Sequence, residues 1–180
     1  SMMGWRSFGT ASPNDGHRAL ARLGAPVITQ NVDALHTAAG SDRVIDLHGL
    51  IARVVCLACG ELTPRARLQE RLEDANPHVT GTIPAGHAEL RPDGDADLAD
   101  DPDFVVPPCE RCGGVLKPDV VFFGESVPKP RVEQCYALVD AADALLVAGT
   151  SLAVMSGLRF VRHAAKRGVP IAIVNHGPTR

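Results

Sequence analysis

The sequence predicts an α/β protein in which a Rossmann-like parallel sheet domain, incomplete at its N-terminal side, carries a small zinc-binding module. The first observation is that apolar runs alternate with helical patterns, as in the strand, turn, helix and strand unit at residues 144–175. Such a unit is typical of neighbouring parallel strands joined by a right-handed crossover. The second observation is a pair of Cys-x-x-Cys motifs between the two halves of that pattern, Cys56 with Cys59 and Cys109 with Cys112.

The boundaries of the two parts follow from where the pattern changes. We expect the parallel-sheet domain at residues 1–49 and 121–180, and the zinc module at residues 50–120. Within the module, an acid-rich insert at about residues 76–108 contains the prolines and glycines that are typical of a surface loop. The first clear strand begins only near Val27, so we expect the chain to be a fragment that lacks N-terminal strands of its sheet.

Composition and charge limit the classes of function. A hydrophobic share of 45% and a charged share of 22% in 180 residues are ordinary for a globular protein. The net charge of −3 and the pI near 6.1 lack the basic footprint of a nucleic-acid-binding protein. No apolar run approaches the roughly 20 residues that a membrane span needs. We therefore expect small molecules or peptides as partners, with no nucleic acid and no membrane.

Proline, glycine and capping signals predict the local structure. Four helices are expected, the first beginning at Ser12-Pro13 and ending at Gly24, and the others at about 64–75, from Pro130 onward, and at 152–167. Strands are expected at residues 26–29, 51–55, 119–124, 144–148 and 169–175. The helical spacing of apolar residues after Pro130 places Cys135 in the core, apart from the paired cysteines.

Residues 27–49 form the stretch in which a ligand site is predicted. The apolar pair Val27 and Ile28 is followed by polar side chains that suit ligand binding: Gln30, Asn31, Asp33 and His36. Ligands of open parallel sheets bind beyond the carboxyl ends of the strands, where these residues are expected to lie. The alternative is a polar turn without a ligand, which explains one such residue better than four.

The paired cysteines form the sharpest metal signal. Two Cys-x-x-Cys knuckles supply four thiolates, which suit a tetrahedral zinc ion with no open position and hence a structural role. Gly60 and Gly113 stand where such knuckles turn. A redox dithiol or a pair of disulfides is the alternative, but a redox motif needs no second copy. Cysteines used in this way also indicate a reducing compartment.

A second candidate binding element is the turn Gly149-Thr150-Ser151, between a predicted strand and a predicted helix. Backbone N–H groups, hydroxyls and the positive end of a helix can bind a phosphate or a ribose. The alternative is that Ser151 simply caps the helix. The turn by itself does not separate these two interpretations.

Taken in order, these motifs resemble those of the sirtuins, which are NAD-dependent protein-lysine deacylases. The matching segments span nearly the whole chain and are TQNVDALHTAAG, IDLHG, the two cysteine knuckles, KPDVVFFGE, AGTSLAV and IVN. Four features are most similar to the class II branch that contains the mitochondrial sirtuin 4 type: PNDGHRAL, the long insert, LKPDVVFFGE and IVNHGPTR. The resemblance implies NAD as the cofactor, one structural Zn²⁺ ion, and acyl-lysine proteins or peptides as substrates.

The resemblance also implies a role for each matching residue. Gln30, Asn31 and Asp33 would hold the ribose and carboxamide of the nicotinamide half of NAD, with Asn31 close to the reacting carbon. His48 would be the catalytic base, accepting a ribose hydroxyl proton after the acyl oxygen attacks the ribose carbon that bears nicotinamide. An ordinary histidine pKa of about 6.5 suits that role near neutrality. His36 would brace the loop by hydrogen bonding.

Three further sets of residues are implied. Contacts to the adenosine side of NAD would come from Gly149, Thr150, Ser151 and Asn175. The substrate peptide would pair, as an added strand, with the edge formed by Val121, Phe123, Gly124 and Glu125. The zinc ligands would be Cys56, Cys59, Cys109 and Cys112.

The implied activity is removal of an acyl group from lysine with release of nicotinamide and O-acyl-ADP-ribose, by a deacetylase, a longer-chain deacylase or a lipoamidase. ADP-ribosyl transfer to protein is one alternative, and a non-catalytic zinc-ribbon interaction module with a partial nucleotide pocket is another. The Gly-rich loop of the GAGxSxxSGIPDFR kind, which binds the NAD phosphates in sirtuins, is absent, so we expect negligible activity from these 180 residues alone. The implied location is cytoplasmic in a bacterium, or the mitochondrial matrix in a eukaryote.

Overall fold

Strands and helices alternate along most of the described chain, as the hydrophobic pattern predicts. The structure is a computed structural model that describes residues 11–79 and 102–179 together with Trp5, so part of the predicted insert lies outside the described residues. The elements are α1 (Asp15–Leu23), β1 (Val27–Thr29), α2 (Leu35–Ala38), β2 (Val44–Asp46), β3 (Gly49–Cys56), β4 (Leu62–Pro64), α3 (Arg65–Ala75), β5 (Leu116–Val120), α4 (Lys129–Asp140), β6 (Leu145–Ala148), α5 (Met155–Lys166) and β7 (Ile171–Val174). None of the helices in these ranges has the length and apolar character that a membrane span requires.

The parallel strands form two pairs. β1 pairs with β2, and β6 pairs with β7, both in parallel. Helices α4 and α5 pack together beside these strands, and the residues buried between them share one core: Leu47, Cys135, Val139, Phe160 and Ala164. Cys135 is fully buried, which confirms the prediction from its helical spacing.

A cleft of about 400 Å³ lies between the two parallel pairs. Its walls are apolar side chains of α1, β1, β6 and α5, among them Leu20, Ile28, Leu145 and Val161. Within the described ranges, β1 pairs with β2 alone and β6 with β7 alone, so each of these strands has one unpaired edge. The cleft extends to the polar residues that follow β1 and β6.

β3 is the central strand of the cysteine-bearing module. It pairs antiparallel with β4 on one side and β5 on the other, and α3 covers this sheet through Leu68 and Leu72, which pack on Val54. The side chain of Asn76, only 1% exposed, follows α3. It donates to the Val105 carbonyl over 2.8 Å and accepts from the Val105 N–H over 2.6 Å. This pair of bonds ties together the two ends of the insert.

The first helix begins later than predicted. The N-cap of α1 is Asn14, and the helix begins at Asp15 instead of at Ser12-Pro13. The Asn14 side chain accepts a hydrogen bond from the His17 N–H over 3.1 Å, and the His17 side chain accepts from the Asn14 N–H in return, which completes a capping box. Asparagine and serine are about equally good N-caps, so residue type alone does not favour Ser12 over Asn14. Gly24 ends the helix in a left-handed conformation, as predicted.

Two other predicted boundaries were wrong. The strand expected at 119–124 is β5, which ends at Val120, and the chain then turns through Gly124 with φ of 88°. The helix expected at 152–167 begins only at Met155, because Leu152 has a left-handed conformation with φ of 55°. The N-cap of α5 is therefore Val154, and Ser151 does not cap this helix.

Candidate functional site

The four paired cysteines meet in one cluster. Their Sγ atoms all lie within 4.8 Å of one another. The Sγ atoms of Cys56 and Cys112 are 3.5 Å apart, and those of Cys59 and Cys109 are 3.9 Å apart. A tetrahedral zinc ion with bonds of about 2.3 Å holds its sulfur ligands roughly 3.8 Å apart. A disulfide bond is only about 2.05 Å long, so the arrangement fits a metal site and not a pair of disulfides.

Both knuckles are built in the same way. Gly60 donates its N–H to the Cys56 carbonyl over 3.0 Å, and Gly113 donates to the Cys109 carbonyl over 2.8 Å. Both glycines have a positive φ, 71° and 74°, as their positions in the motif predicted. The backbone N–H of Cys59 donates to the Cys56 sulfur and lowers the pKa of that thiol to about 6. The Cys59 N–H thus favours the thiolate of Cys56, which is the form that binds a metal. At Cys112 the Gly114 N–H acts in the same direction, but hydrogen bonds with the Cys59 and Cys56 sulfurs raise the pKa to about 12.

His48 is held through both of its ring nitrogens. Nδ1 lies 3.0 Å from the Gln30 carbonyl oxygen, and Nε2 lies 2.8 Å from the hydroxyl of Ser156. A carbonyl oxygen only accepts hydrogen bonds, so Nδ1 carries the proton and Nε2 keeps its lone pair. Burial lowers the pKa of His48 against the opposing hydrogen bond to Gln30, and the positive charge of Arg131 lowers it further. The imidazole is therefore neutral at pH 7 and can accept a proton at Nε2.

Gly49 follows His48 at a point where no side chain fits. Its φ is 86°, and a Cβ atom there would overlap the Asp119 carbonyl oxygen and lie 2.9 Å from the carbonyl carbon. The same approach of the two backbones lets Val121 donate its N–H to the His48 carbonyl over 2.9 Å. The His-Gly pair thus brings the end of β5 against the turn that carries the histidine.

The end of β1 meets the turn after β6 directly. Gln30 Nε2 donates to Thr150 Oγ1 over 3.3 Å, between residues 120 positions apart in the sequence. Gly157, in the first turn of α5, lies against the same amide, and a Cβ atom there would come within 2.9 Å of Gln30 Cδ and Nε2. The two binding segments predicted separately from the sequence therefore form one site.

Asn31 and Asp33 occupy the loop between β1 and α2. The Asn31 N–H donates to Thr29 Oγ1 over 3.1 Å, and its side chain lies at the end of the cleft. Asp33 Oδ1 accepts from the Leu35 N–H over 3.0 Å and so starts α2. The Asp33 carboxylate thus shapes the loop that presents Gln30 and Asn31.

His36 was predicted to brace its loop by hydrogen bonding, but its Nδ1 atom makes no such bond within the described part of the chain. This atom is buried and has no hydrogen-bond partner among the described residues. Instead, the His36 ring packs against the ring of His17, with 4.6 Å between their centroids. Burial lowers the pKa of His36, and the neighbouring His17 lowers it further. The His36 side chain is therefore held by packing between α1 and α2, and the lowered pKa favours its neutral form.

The remaining residues predicted on the adenosine side lie at the ends of β6 and β7. Gly149 donates its N–H to the Val174 carbonyl over 2.9 Å, which brings Asn175 beside the turn. Asn175 Nδ2 donates to Thr179 Oγ1 over 3.1 Å, while Ser151 is exposed. Their predicted role in binding adenosine stays a prediction.

The predicted peptide edge directly follows β5 and lies next to His48. Phe123 is 89% exposed, and Gly124 beside it permits the turn. The Glu125 carboxylate accepts from Lys117 Nζ over 2.6 Å and from the Phe122 N–H over 2.9 Å. The bond from Lys117 is the main reason that the pKa of Glu125 is lowered. Glu125 therefore closes the turn that displays Phe123, and peptide binding at this edge stays a prediction.

Ser156 and Gly157 are site residues that the motif analysis missed. Ser156 contacts a histidine 108 positions away, and Gly157 contacts Gln30. Two small residues one position beyond AGTSLAV, after Met155 and in the first turn of a helix, are the sequence signal that could have drawn attention to them. Both residues contact side chains or backbone near the end of β1. These contacts depend on the tertiary packing of the segment after β6, which no local sequence pattern specifies.

The chain has clear relatives among known sequences. The sequence model of the Sir2 family matches residues 2–156. NAD-dependent protein deacetylase 1 of Streptomyces coelicolor is 59% identical over 187 aligned residues, which cover 100% of this chain and 61% of the relative. NAD-dependent protein deacetylase 1 of Mycobacterium avium is 57% identical, with 99% of this chain and 65% of the relative covered. The chain thus spans less than two thirds of the length of these two relatives.

Solved structures have the same fold. A complex described as Sir2 with a p53 peptide and NAD⁺ has a TM-score of 0.73 and 28% identity, covering 96% of this chain and 62% of that one. A structure that addresses the basis of sirtuin substrate affinity also has a TM-score of 0.73 and 28% identity, covering 96% of this chain and 64% of that one. Together with the four-cysteine cluster, these likenesses confirm the predicted α/β fold with a module fit for zinc.

Proposed function

The chain belongs to the Sir2 family, and on that premise we propose that the protein is an NAD-dependent protein-lysine deacetylase. The observation that carries the proposal is the neutral His48 imidazole, held with Nε2 as its basic nitrogen where the segments after β1 and β6 meet. The names of the relatives in Streptomyces coelicolor and Mycobacterium avium support the same activity.

We also assign the protein to the class II branch of the family. The support is its similarity to that branch in PNDGHRAL, the long insert between the knuckles, LKPDVVFFGE and IVNHGPTR. We further propose a cytoplasmic location in a bacterium, because the relatives named above are bacterial and the cysteines are free.

The proposed NAD site lies at the joined ends of β1 and β6. The residues there fit the cofactor, because Gln30 and Asn31 offer amides at the end of the cleft and Thr150 offers a hydroxyl. Gly149, Ser151 and Asn175 would serve the adenosine side, and Asp33 orders the loop of the nicotinamide side. When bound, NAD supplies the ribose carbon that takes up the acyl oxygen as nicotinamide leaves. These 180 residues do not contain the Gly-rich loop that binds the NAD phosphates in sirtuins.

His48 acts as the base in the proposed reaction. Its Nε2 atom accepts one proton from a ribose hydroxyl, which converts the imidazole to imidazolium. Nδ1 keeps its proton throughout, and the Gln30 carbonyl oxygen, 3.0 Å away, stabilises the positive charge that develops on the ring. The low pKa of His48, caused first by burial, ensures that the ring begins the cycle neutral.

The acyl-lysine peptide is proposed to pair with the edge at Val121, Phe123 and Gly124. This edge is favoured because Val121 is hydrogen-bonded to the His48 carbonyl, so a peptide on it would run past the histidine. The cluster of Cys56, Cys59, Cys109 and Cys112 would hold one Zn²⁺ ion, and four protein ligands leave that ion a structural role.

The proposal is tested with a panel of acyl-lysine peptides and NAD, using the full-length protein and its His48→Ala variant. We expect nicotinamide release that requires the acetylated peptide, and a loss of at least about 100-fold in the variant, since general bases contribute about 10²–10⁴. Zinc content should be the same in both proteins. Comparable turnover by the variant would refute the role of His48. If no peptide is turned over with NAD, the deacetylase assignment is refuted. If the protein prefers a longer acyl group to acetyl, the assignment changes from deacetylase to a deacylase for that acyl group.

A further inference from the structure

Among the described residues, Ser156 hydrogen-bonds to the proposed basic nitrogen of His48, and no motif accounts for this contact. Its Oγ atom lies 2.8 Å from Nε2. Since Nδ1 carries the proton that the Gln30 carbonyl accepts, Nε2 has a lone pair, and the serine hydroxyl must be the donor in this bond. The hydroxyl therefore stands at the position that a ribose hydroxyl must occupy to give up its proton.

The location of Ser156 is set by the packing of its neighbours. It is the second residue of α5, a helix of 12 residues that packs on the core through Leu158 and Phe160. The next residue, Gly157, lies against the side-chain amide of Gln30, whose backbone carbonyl binds the other side of the His48 ring. The ring is thus held between the end of β1 and the start of α5, with one hydrogen bond to each.

Most of the groups around the ring favour its neutral form, against the Gln30 carbonyl, whose hydrogen bond raises the pKa of His48. The positive charge that acts on His48 is that of Arg131 on α4, which also donates to the Leu47 carbonyl over 3.3 Å. The N-terminal end of α5 carries a partial positive charge from its unpaired N–H groups. The Ser156 hydroxyl adds a hydrogen bond that the imidazolium, which has no lone pair on Nε2, cannot accept.

We propose that Ser156 is a positioning residue for His48, which orients the ring, keeps Nε2 unprotonated and gives way to the ribose hydroxyl when NAD binds. This inference rests on the proposed function, because it gives His48 the role of base. In the step concerned, one proton passes from the ribose hydroxyl to Nε2, and Ser156 neither gains nor loses a proton. Ser156 is therefore distinct from the base itself.

The test compares the native protein with Ser156→Ala, Ser156→Thr and the control Ser12→Ala, which removes an exposed hydroxyl outside the site. Two quantities are followed against pH: kcat/KM for NAD at a saturating acetyl-lysine peptide, and the NMR titration of the His48 ring in the protein without NAD. Loss of the donated hydrogen bond should move both titrations to higher pH in Ser156→Ala. At pH values below the native pKa of His48 we expect kcat/KM to fall by up to about fivefold, the effect of one hydrogen bond of ordinary strength.

Ser156→Thr keeps a hydroxyl and should titrate like the native protein, as should Ser12→Ala. A Ser156→Ala protein whose two titrations coincide with those of the native protein would overturn the inference. So would a threonine variant as impaired as the alanine variant, because bulk and not the hydroxyl would then matter. If His48→Ala abolishes turnover while Ser156→Ala changes nothing, the inference fails and the proposed function stands. If His48→Ala is fully active, the proposed function fails first.

Discussion

At the scale of single residues, the position of His48 depends on the glycine that follows it. The Asp119 carbonyl occupies the space where a Cβ atom of residue 49 would lie, and the φ of 86° is one that side-chain-bearing residues rarely adopt. Both features come from the close approach of β3 to β5. The glycine of the His-Gly motif thus allows the backbone of β5 to pack directly against the turn that carries His48.

Gly49→Ala should therefore be much more damaging than an alanine at another glycine of similar φ. We expect it to destabilise the native protein by about 2 kcal/mol or more, from the sum of backbone strain and steric overlap, and to reduce the proposed deacetylation in parallel. Urea unfolding and peptide turnover measure the two effects.

The matched control is Gly40→Ala, because Gly40 has a φ of 95° and open space around its Cα atom. This variant carries the backbone strain without the overlap, so its loss of stability should be about 1 kcal/mol. Equal losses for the two variants would show that the contact with Asp119 does not govern this position.

At the scale of elements, β3 joins the two sites of the molecule. It begins at Gly49, next to His48, and ends at Cys56, a member of the four-cysteine cluster. Its partner β5 lies between the same two sites, with Val120 opposite Gly49 and Leu116 opposite Cys56. A metal that holds one end of this pair of strands therefore also steadies the turn that carries the histidine at the other end.

Cys112→Ser should remove zinc and, with it, the rigidity of β3 and β5. We expect zinc content well below the single ion that four thiolates bind, faster hydrogen exchange in both strands, and loss of most deacetylation. Elemental analysis, hydrogen-exchange mass spectrometry and peptide turnover measure these three effects.

Cys135→Ala is the control, since Cys135 is a buried cysteine outside the cluster. It should keep its zinc while losing about 1 kcal/mol of stability from the core. Full activity in a zinc-free Cys112→Ser protein would contradict the proposed link between the module and His48.

At the scale of the whole molecule, two neutral histidines make the folded state sensitive to acid. His36 packs between α1 and α2, and His48 lies between β1 and α5, so both sit where separate parts of the chain meet. Burial is the main reason that the pKa of each is lowered on folding. Protonation of either ring favours the unfolded chain, in which an imidazole has its ordinary pKa.

The stability of the native protein should consequently fall as the pH drops below about 6.5, the ordinary pKa of histidine. The sign follows because in that window the unfolded chain binds more protons than the folded one. His36→Phe removes one of the two contributions and keeps the ring contact with His17, so its urea midpoint should change less between about pH 7.5 and pH 5.5. The exposed His176, changed to Gln, is the control and should leave the dependence as it is. An unchanged dependence in His36→Phe would contradict this account.

Sequence reasoning located the longer elements and misjudged some of their ends. α4, β6 and α5 follow from periodicity, whereas α2, β2 and β4, of three or four residues each, are too short to produce a periodic signal. The start of α5 was wrong because Leu152 takes a left-handed conformation, and the end of β5 was wrong because the chain turns after Val120. Side-chain hydrogen bonds accompany both features, from the Leu152 N–H to Thr150 Oγ1 and from the Phe122 N–H to Glu125, and such bonds leave no periodic signal in the sequence.

The sequence by itself determined the metal cluster and the polar segment after β1. Each knuckle is a local structure closed by its own glycine, and a strand followed by several amides and acids predicts a ligand site without knowledge of its neighbours. Only the tertiary structure decided which partners meet: Gln30 with Thr150, His48 with Ser156, and Gly49 with Asp119. The physical reason is that these contacts join residues far apart in the chain. They arise from the way helices and strands pack together in the fold, and local sequence propensity does not specify that packing.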